Sequence, residues 1–225
     1  MAIASRRGRT VCVRSNRVGA GPAAQLAAAA ACALTLAATG CSASSGAPPD
    51  TSSGARFAGS SAAGLSAPDF TLRDQAGRDV SLHAERGKWV VVTFLYTRCP
   101  DVCPLIATKL NQVLLALGRA RAGVRVLAVS VDPVGDTPRR VRGFVRDHRL
   151  VPQFRYLTGS RAQLAPIWSG YHVAAQVGPV DTSSHSAYEL LIDRGGKPRL
   201  LYTADLEARD VLHDLRLLGV RRRGP

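Results

Sequence analysis

Residues 89–96 (WVVVTFLY) form an unbroken β-branched and aromatic run, and two cysteines follow at once in Thr97-Arg98-Cys99-Pro100-Asp101-Val102-Cys103-Pro104. A run of that composition reads as a buried strand. Beyond it, Leu105, Ile106, Leu110, Val113, Leu114 and Leu117 recur at helical spacing, with Pro104 suited to a first helical turn. A buried strand that feeds straight into an amphipathic helix restricts the chain to a layered α/β arrangement. It also sets both cysteines at the C-terminal end of a strand, where open sheets keep their functional groups.

The pattern continues downstream. Residues 124–131 (VRVLAVSV) read as a second buried strand that ends at Asp132-Pro133, and Thr137-Pro138 reads as an N-cap and first-turn proline of a helix running to Asp147. Ser160 with Gln163 makes a capping box for a short helix reaching Trp168. Residues 188–192 and 199–203, joined by Asp193-Arg194-Gly195-Gly196, read as a β-hairpin, and residues 206–218 as a closing helix. The order strand, helix, strand, helix, short helix, hairpin, helix predicts one α/β domain over residues 67–219, with helices on both faces of the sheet.

The chain has 225 residues, 46% of them hydrophobic, and a net charge of +14. That basicity is compatible with an anionic lipid surface or an acidic partner. Nucleic acid is set aside, because there is no zinc-finger spacing or RNA-binding aromatic signature and aromatics make up only 5% of residues. Part of the charge lies in Arg6, Arg7, Arg9, Arg14 and Arg17, ahead of an Ala-rich run over residues 23–38 that is short for a membrane span and suits a signal-peptide core. Leu36-Ala37-Ala38-Thr39-Gly40-Cys41 then resembles a bacterial lipobox, with Ala38 where a larger aliphatic residue is usual. Residues 1–40 are therefore expected to be a lipoprotein signal and Cys41 the lipidated residue. Residues 41–66, rich in Ser, Ala, Gly and Pro, read as a flexible tether, and residues 220–225 as a basic tail. The expected location is the extracytoplasmic face of a bacterial membrane.

Of the five cysteines, Cys12 and Cys32 fall in the signal segment and Cys41 at the lipid site, which leaves Cys99 and Cys103 in the domain. Two thiols at this spacing can converge on one small ion or form a disulfide. A structural bridge would close too short a loop to gain much by entropy. Backbone N–H groups at a strand-to-helix junction are expected to favour thiolate, and Arg98 to help hold it ionised. Asp101, between the cysteines, reads as a solvated loop residue.

On these motifs the sequence resembles the Sco/SenC family, thioredoxin-like copper proteins that assist assembly of the copper A centre of cytochrome c oxidase. The resemblance rests on Ala67-Pro68-Asp69-Phe70-Thr71-Leu72, on the strand entering Cys99-Pro100-Asp101-Val102-Cys103-Pro104, on Ser130-Val131-Asp132-Pro133 with Asp136-Thr137-Pro138, and on His185 ahead of a strand ending Leu191-Ile192-Asp193. It implies a thioredoxin-like fold, copper as Cu(I) or Cu(II), Cys99 and Cys103 as thiolate ligands, His185 as imidazole ligand and Asp132 as an accessory group. It implies as partner the oxidase subunit that carries the copper A site, with the copper donor unspecified. Arg98 and the loose Asp181-Thr182-Ser183-Ser184-His185 segment depart from the family pattern.

The ligand chemistry is consistent with this. Thiolates select Cu(I), and one imidazole is tolerated by both copper states. Structural zinc usually takes four protein ligands, and the domain has no third cysteine. The other reading is a thiol-disulfide oxidoreductase that cycles Cys99 and Cys103 to keep the oxidase's copper-ligand cysteines reduced. Three intervening residues, rather than the usual two of thioredoxins, and the absence of proline in Ser186-Ala187-Tyr188 weigh against general disulfide exchange. A copper sensor or store is a third class, and the peroxiredoxin Pro-x-x-x-Thr-x-x-Cys arrangement is missing around Cys99.

Overall fold

The computed structural model describes residues 56–173 and 188–221. Cys41 and His185 lie outside the described residues. In chain order the elements are β1 (Ser60–Ser61), β2 (Thr71–Arg73), β3 (Asp79–Ser81), β4 (Trp89–Leu95), α1 (Val102–Ala116), β5 (Val124–Ser130), α2 (Pro138–Asp147), β6 (Phe154–Leu157), α3 (Arg161–Gly170), β7 (Tyr188–Ile192), β8 (Pro198–Thr203) and α4 (Ala208–Leu217).

Six strands form one sheet in the order β1-β8-β7-β4-β5-β6. Strand β4, which leads into the cysteine loop, is buried along all of its length, as a strand flanked on both sides and covered on both faces must be. It pairs parallel with β5 (Leu95 opposite Ser130) and antiparallel with β7 (Val92 opposite Leu190). Adjacent residues of a strand face opposite ways. Thr93 of β4 thus bonds Glu189 of β7 on one face, while Phe94 meets the rings of Tyr171, just after α3, and Tyr188 on the other. Helices α1 and α4 pack together, and Asn111 of α1 bonds the carbonyl of Arg149 and the N–H of Val151, beyond α2. From the other side Trp168 of α3 donates to the carbonyl of Ser130.

The expected strands, helices and hairpin are present, and the Ser160–Gln163 capping box forms in full. Three features differ from the sequence expectation. The hairpin β2–β3, closed by a turn around the buried Asp74, and the four-residue β6 are too short to leave a periodic signal. Strand β1 lies inside the stretch read as tether, so ordered structure begins before residue 67. Buried Asp214 of α4 accepts the N–H groups of Ala58 and Gly59, each at 2.9 Å, and the Tyr202 hydroxyl at 2.9 Å, while Ser60 and Ser61 pair with β8. Small polar residues carry no hydrophobic pattern, and backbone pairing to a distant carboxylate cannot be read locally. Finally, α1 starts at Val102, with Asp101 as its N-cap, and Cys99 precedes the helix.

Candidate metal centre

The site is built where β4 and β5 end side by side. After Leu95 the chain leaves the sheet through Tyr96, Thr97 and Arg98 and turns at Cys99, whose N–H bonds the Tyr96 carbonyl at 3.3 Å. Two residues later Asp101 caps α1 by accepting the N–H of Val102. Cys103 thus falls in the first turn of α1, and its N–H points back at Cys99 Sγ, 3.2 Å away. The Cys99 sulfur therefore serves as an acceptor for one of the amides that a helix start leaves without an internal partner. Asp101 is accordingly a helix cap more than a free loop charge.

Both cysteines are free thiols and both are buried, Cys99 at 8% exposure and Cys103 at 1%. An ion approaching from solvent meets Cys99 first. Burial, and after it the contact with Cys99, pushes the Cys103 thiol well above its ordinary value, and the N–H of Tyr96 opposes this only in part. The sequence expectation of a favoured thiolate is reversed at Cys103, because desolvation inside the first turn outweighs the amides. The Tyr96 hydroxyl lies against Cys99; burial first, and that contact second, hold it protonated.

Arg98 does not serve the sulfurs either. Its Nε and Nη2 hold Asp132 Oδ2 at 2.9 and 2.7 Å, and Asp132 Oδ1 accepts the N–H of Gly135 at 2.8 Å. Asp132 therefore clasps the cysteine loop to the loop after β5. Gly135 is required there: a Cβ would sit 2.0 Å from Asp132 Oδ2 and 2.5 Å from Arg98 Nε.

The residue missed from sequence is Asp136. Four per cent exposed, it accepts four hydrogen bonds: Thr97 N–H at 2.8 Å and Thr97 Oγ1 at 2.7 Å on one oxygen, Ser130 Oγ at 2.6 Å and Tyr156 Oη at 2.9 Å on the other. Burial pushes its carboxyl upward and those bonds oppose it, and its charge is among the influences that keep Cys103 protonated. Asp136-Thr137-Pro138 was visible in the sequence as a helix start, but nothing local distinguishes an aspartate that turns inward from the one four residues earlier that faces the rim. Among the described residues no group of three Cys, His, Asp or Glu side chains is arranged to hold an ion. Two sulfurs alone are fewer donors than a metal ion ordinarily takes from a protein.

A parallel β4-α1-β5 unit, an antiparallel hairpin beside β4, a closing helix packed on α1 and a Cys-x-x-x-Cys pair at the start of α1 define a thioredoxin-like domain. The model of the SCO1/SenC family matches residues 59–218, and the chain belongs to that family. Among curated relatives it is 39% identical over 116 residues to the mitochondrial SCO2 homologue of Bos taurus, a match covering 50% of this chain and 42% of that one. It is 27% identical over 153 residues to an SCO2-like protein of Rickettsia typhi, covering 65% and 74% respectively. Among solved structures, Bradyrhizobium japonicum ScoI with copper bound shares 29% identity at a TM-score of 0.61, with 68% of this chain and 99% of that one covered. Apo Sco1 of Thermus thermophilus shares 30% at a TM-score of 0.60, with 72% and 97% covered.

Proposed function

We propose that this protein is a copper carrier that holds one copper ion through the sulfurs of Cys99 and Cys103 and the imidazole of His185, and that it delivers copper to, or prepares, the copper A site of cytochrome c oxidase. The observation that carries this reading is the pair of free, buried sulfurs joined through the Cys103 N–H. Soft sulfurs in a nearly dry site suit Cu(I), and each thiol gives up its proton on binding. The copper-bound state of ScoI from Bradyrhizobium japonicum supports copper as cargo. With only two sulfurs and one imidazole around it, the ion stays open to a client's own ligands, so transfer proceeds by exchange of ligands. Asp132 serves this site by fixing Arg98 and the loop that bears Cys99. Cys41 carries a lipid that keeps the domain at the outer face of the membrane; among the described residues no helix is long and apolar enough to cross one.

Anaerobic titration of the reduced protein with Cu(I) against a competing chelator tests the reading. One-to-one binding is expected, abolished by Cys99→Ser or Cys103→Ser, while His185→Ala weakens Cu(II) more than Cu(I). Absence of Cu(I) binding, together with a readily cycling Cys99–Cys103 disulfide, would replace the carrier with the thiol-disulfide oxidoreductase.

A further inference from the structure

Helix α2, which starts directly after the loop carrying Asp132 and Asp136, exposes Arg139, Arg140, Arg142 and Arg146, and Arg149 follows just beyond its end. Positions 139, 142 and 146 recur at helical spacing, opposite the buried Val141 and Phe144. Among these five arginines Arg146 pairs with Asp147 at 2.9 Å, and the other four make no ion pair with the described residues. Five cations within a few turns repel one another, and a fold keeps such a face when something else supplies the counter-charge.

The face is also shaped. A groove of about 760 Å³ opens beside it, lined by Arg139, Arg140, Arg146, Phe144 and His148, with Asp147 as the one carboxylate in the lining and Thr97 at its border; Arg142 and Arg149 lie outside it. Gly143 lines it too, in the middle of the helix, where a Cβ would meet nothing closer than 3.8 Å; the helix forgoes a better helix former and the groove stays open. Thr97 stands two residues before Cys99 and is held by Asp136, so the groove and the cysteine loop share a wall. In the loop between β5 and α2, Val134 is 85% exposed.

We propose that the arginine face of α2 is the docking surface for a client protein that presents clustered aspartate and glutamate side chains, seated so that its own metal-binding residues meet Cys99. It rests on the carrier reading for what is exchanged, though not for the docking itself. Guanidinium forks match carboxylates two bonds at a time, and arginine is enriched at protein interfaces. A bilayer is the poorer occupant. It is flat where this surface is grooved.

The test uses the full chain in non-ionic detergent, reduced and metal-free, with a fluorescent peptide of alternating Glu and Gly, its Gln counterpart, and vesicles of phosphatidylglycerol with phosphatidylcholine. The variant Arg139→Gln/Arg140→Gln/Arg146→Gln is compared with Arg119→Gln/Arg194→Gln/Arg221→Gln. The second triple carries the same charge change in a groove beside the start of β5, at the far end of that strand from the site. The acidic peptide is expected to bind and the Gln peptide not. Its affinity should fall about tenfold in the α2 variant, with a shallower salt dependence, and hold in the control. Equal loss in both variants would reduce the effect to net charge and overturn the proposal. Vesicle binding that falls selectively in the α2 variant, without peptide binding, would overturn it in favour of a lipid surface. Peptide binding that follows this pattern in a protein that fails the Cu(I) titration would leave the docking surface standing and remove the carrier.

Discussion

Two aspartates four residues apart do different work at this site, and their neighbours decide which. Asp132 is bonded to a half-exposed arginine, and surface pairs of that kind contribute about 0–1 kcal/mol, so Arg98→Ala should cost little in urea unfolding. Gly135→Ala should cost more, about 1–3 kcal/mol, because the new methyl group would enter the space that the Arg98–Asp132 contact occupies. If the two variants prove equally mild, the loop yields more readily than its geometry implies. Asp136→Ala is expected to be severe, about 3–5 kcal/mol, since it strands the Thr97 amide and two buried hydroxyls. In the same variant a thiol reagent should label Cys99 faster, and unchanged labelling would mean that Asp136 does not hold the cysteine loop. Sequence spacing was enough to pick out the cysteines, because their chemistry is carried by residue type. The division of labour between Asp132 and Asp136 was not legible, because it depends on which way a tight loop turns each side chain relative to β6 and its Tyr156.

At the level of elements, β4 and β7 carry an anomaly. Glu189 is fully buried on the face of the sheet opposite Phe94; one oxygen accepts from Thr93 at 3.2 Å and the other has no partner among the described residues. Burial pushes its carboxyl up to about 8, the charge of Asp205 adds to this, and the Thr93 bond and Lys109 act the other way. In the unfolded chain the same carboxyl ionises near its ordinary 4.5, so between that pH and about 8 the native state holds a proton the unfolded chain has lost. Stability should therefore fall as pH rises through that window and level off above it, by an amount on the order of a few kcal/mol. Glu189→Gln keeps the shape without the ionisation, and unfolding measured at pH 5 and pH 8 should show this slope flattened. A slope unchanged by the substitution would assign it to other groups. The strong strands and the capped helices were readable because burial on both faces and first-turn residues leave local signatures. β6 and the β2–β3 hairpin were not: a few residues cannot establish a period, and β2–β3 depends on Asp74 gathering Arg78 and the distant Arg155.

For the molecule as a whole, the family match begins at residue 59, within one residue of β1, whereas sequence composition alone placed the boundary at 67. The difference is physical. The segment from Ala58 to Ser61 supplies hydrogen bonds to a buried carboxylate and pairing to a sheet edge, neither of which requires apolar residues. A chain begun at residue 67 should thus unfold at lower urea than one begun at residue 56, by about 2–4 kcal/mol for the amide donors removed from buried Asp214. Equal midpoints would show that β1 is an ornament of the fold. The cysteines, by contrast, lie just past the end of the central strand β4, and the two regions are joined through the intervening strands and through α4, which carries Asp214 and packs on α1.

That separation has a mechanical side. Any force transmitted along the segment before residue 56 enters the domain at β1 and Asp214, on the outermost strand, three strand spacings or roughly 15 Å from β4. The first bonds to feel such a pull are the Ala58 and Gly59 amides on Asp214, and after them the two rungs between Ser60–Ser61 and β8, which can fray and re-form while β4, paired on both sides, keeps its place. The edge strand thus acts as a strain relief, like the collar where a cable enters an instrument. A pull at that end is taken up at the collar without disturbing the spacing of the two sulfurs.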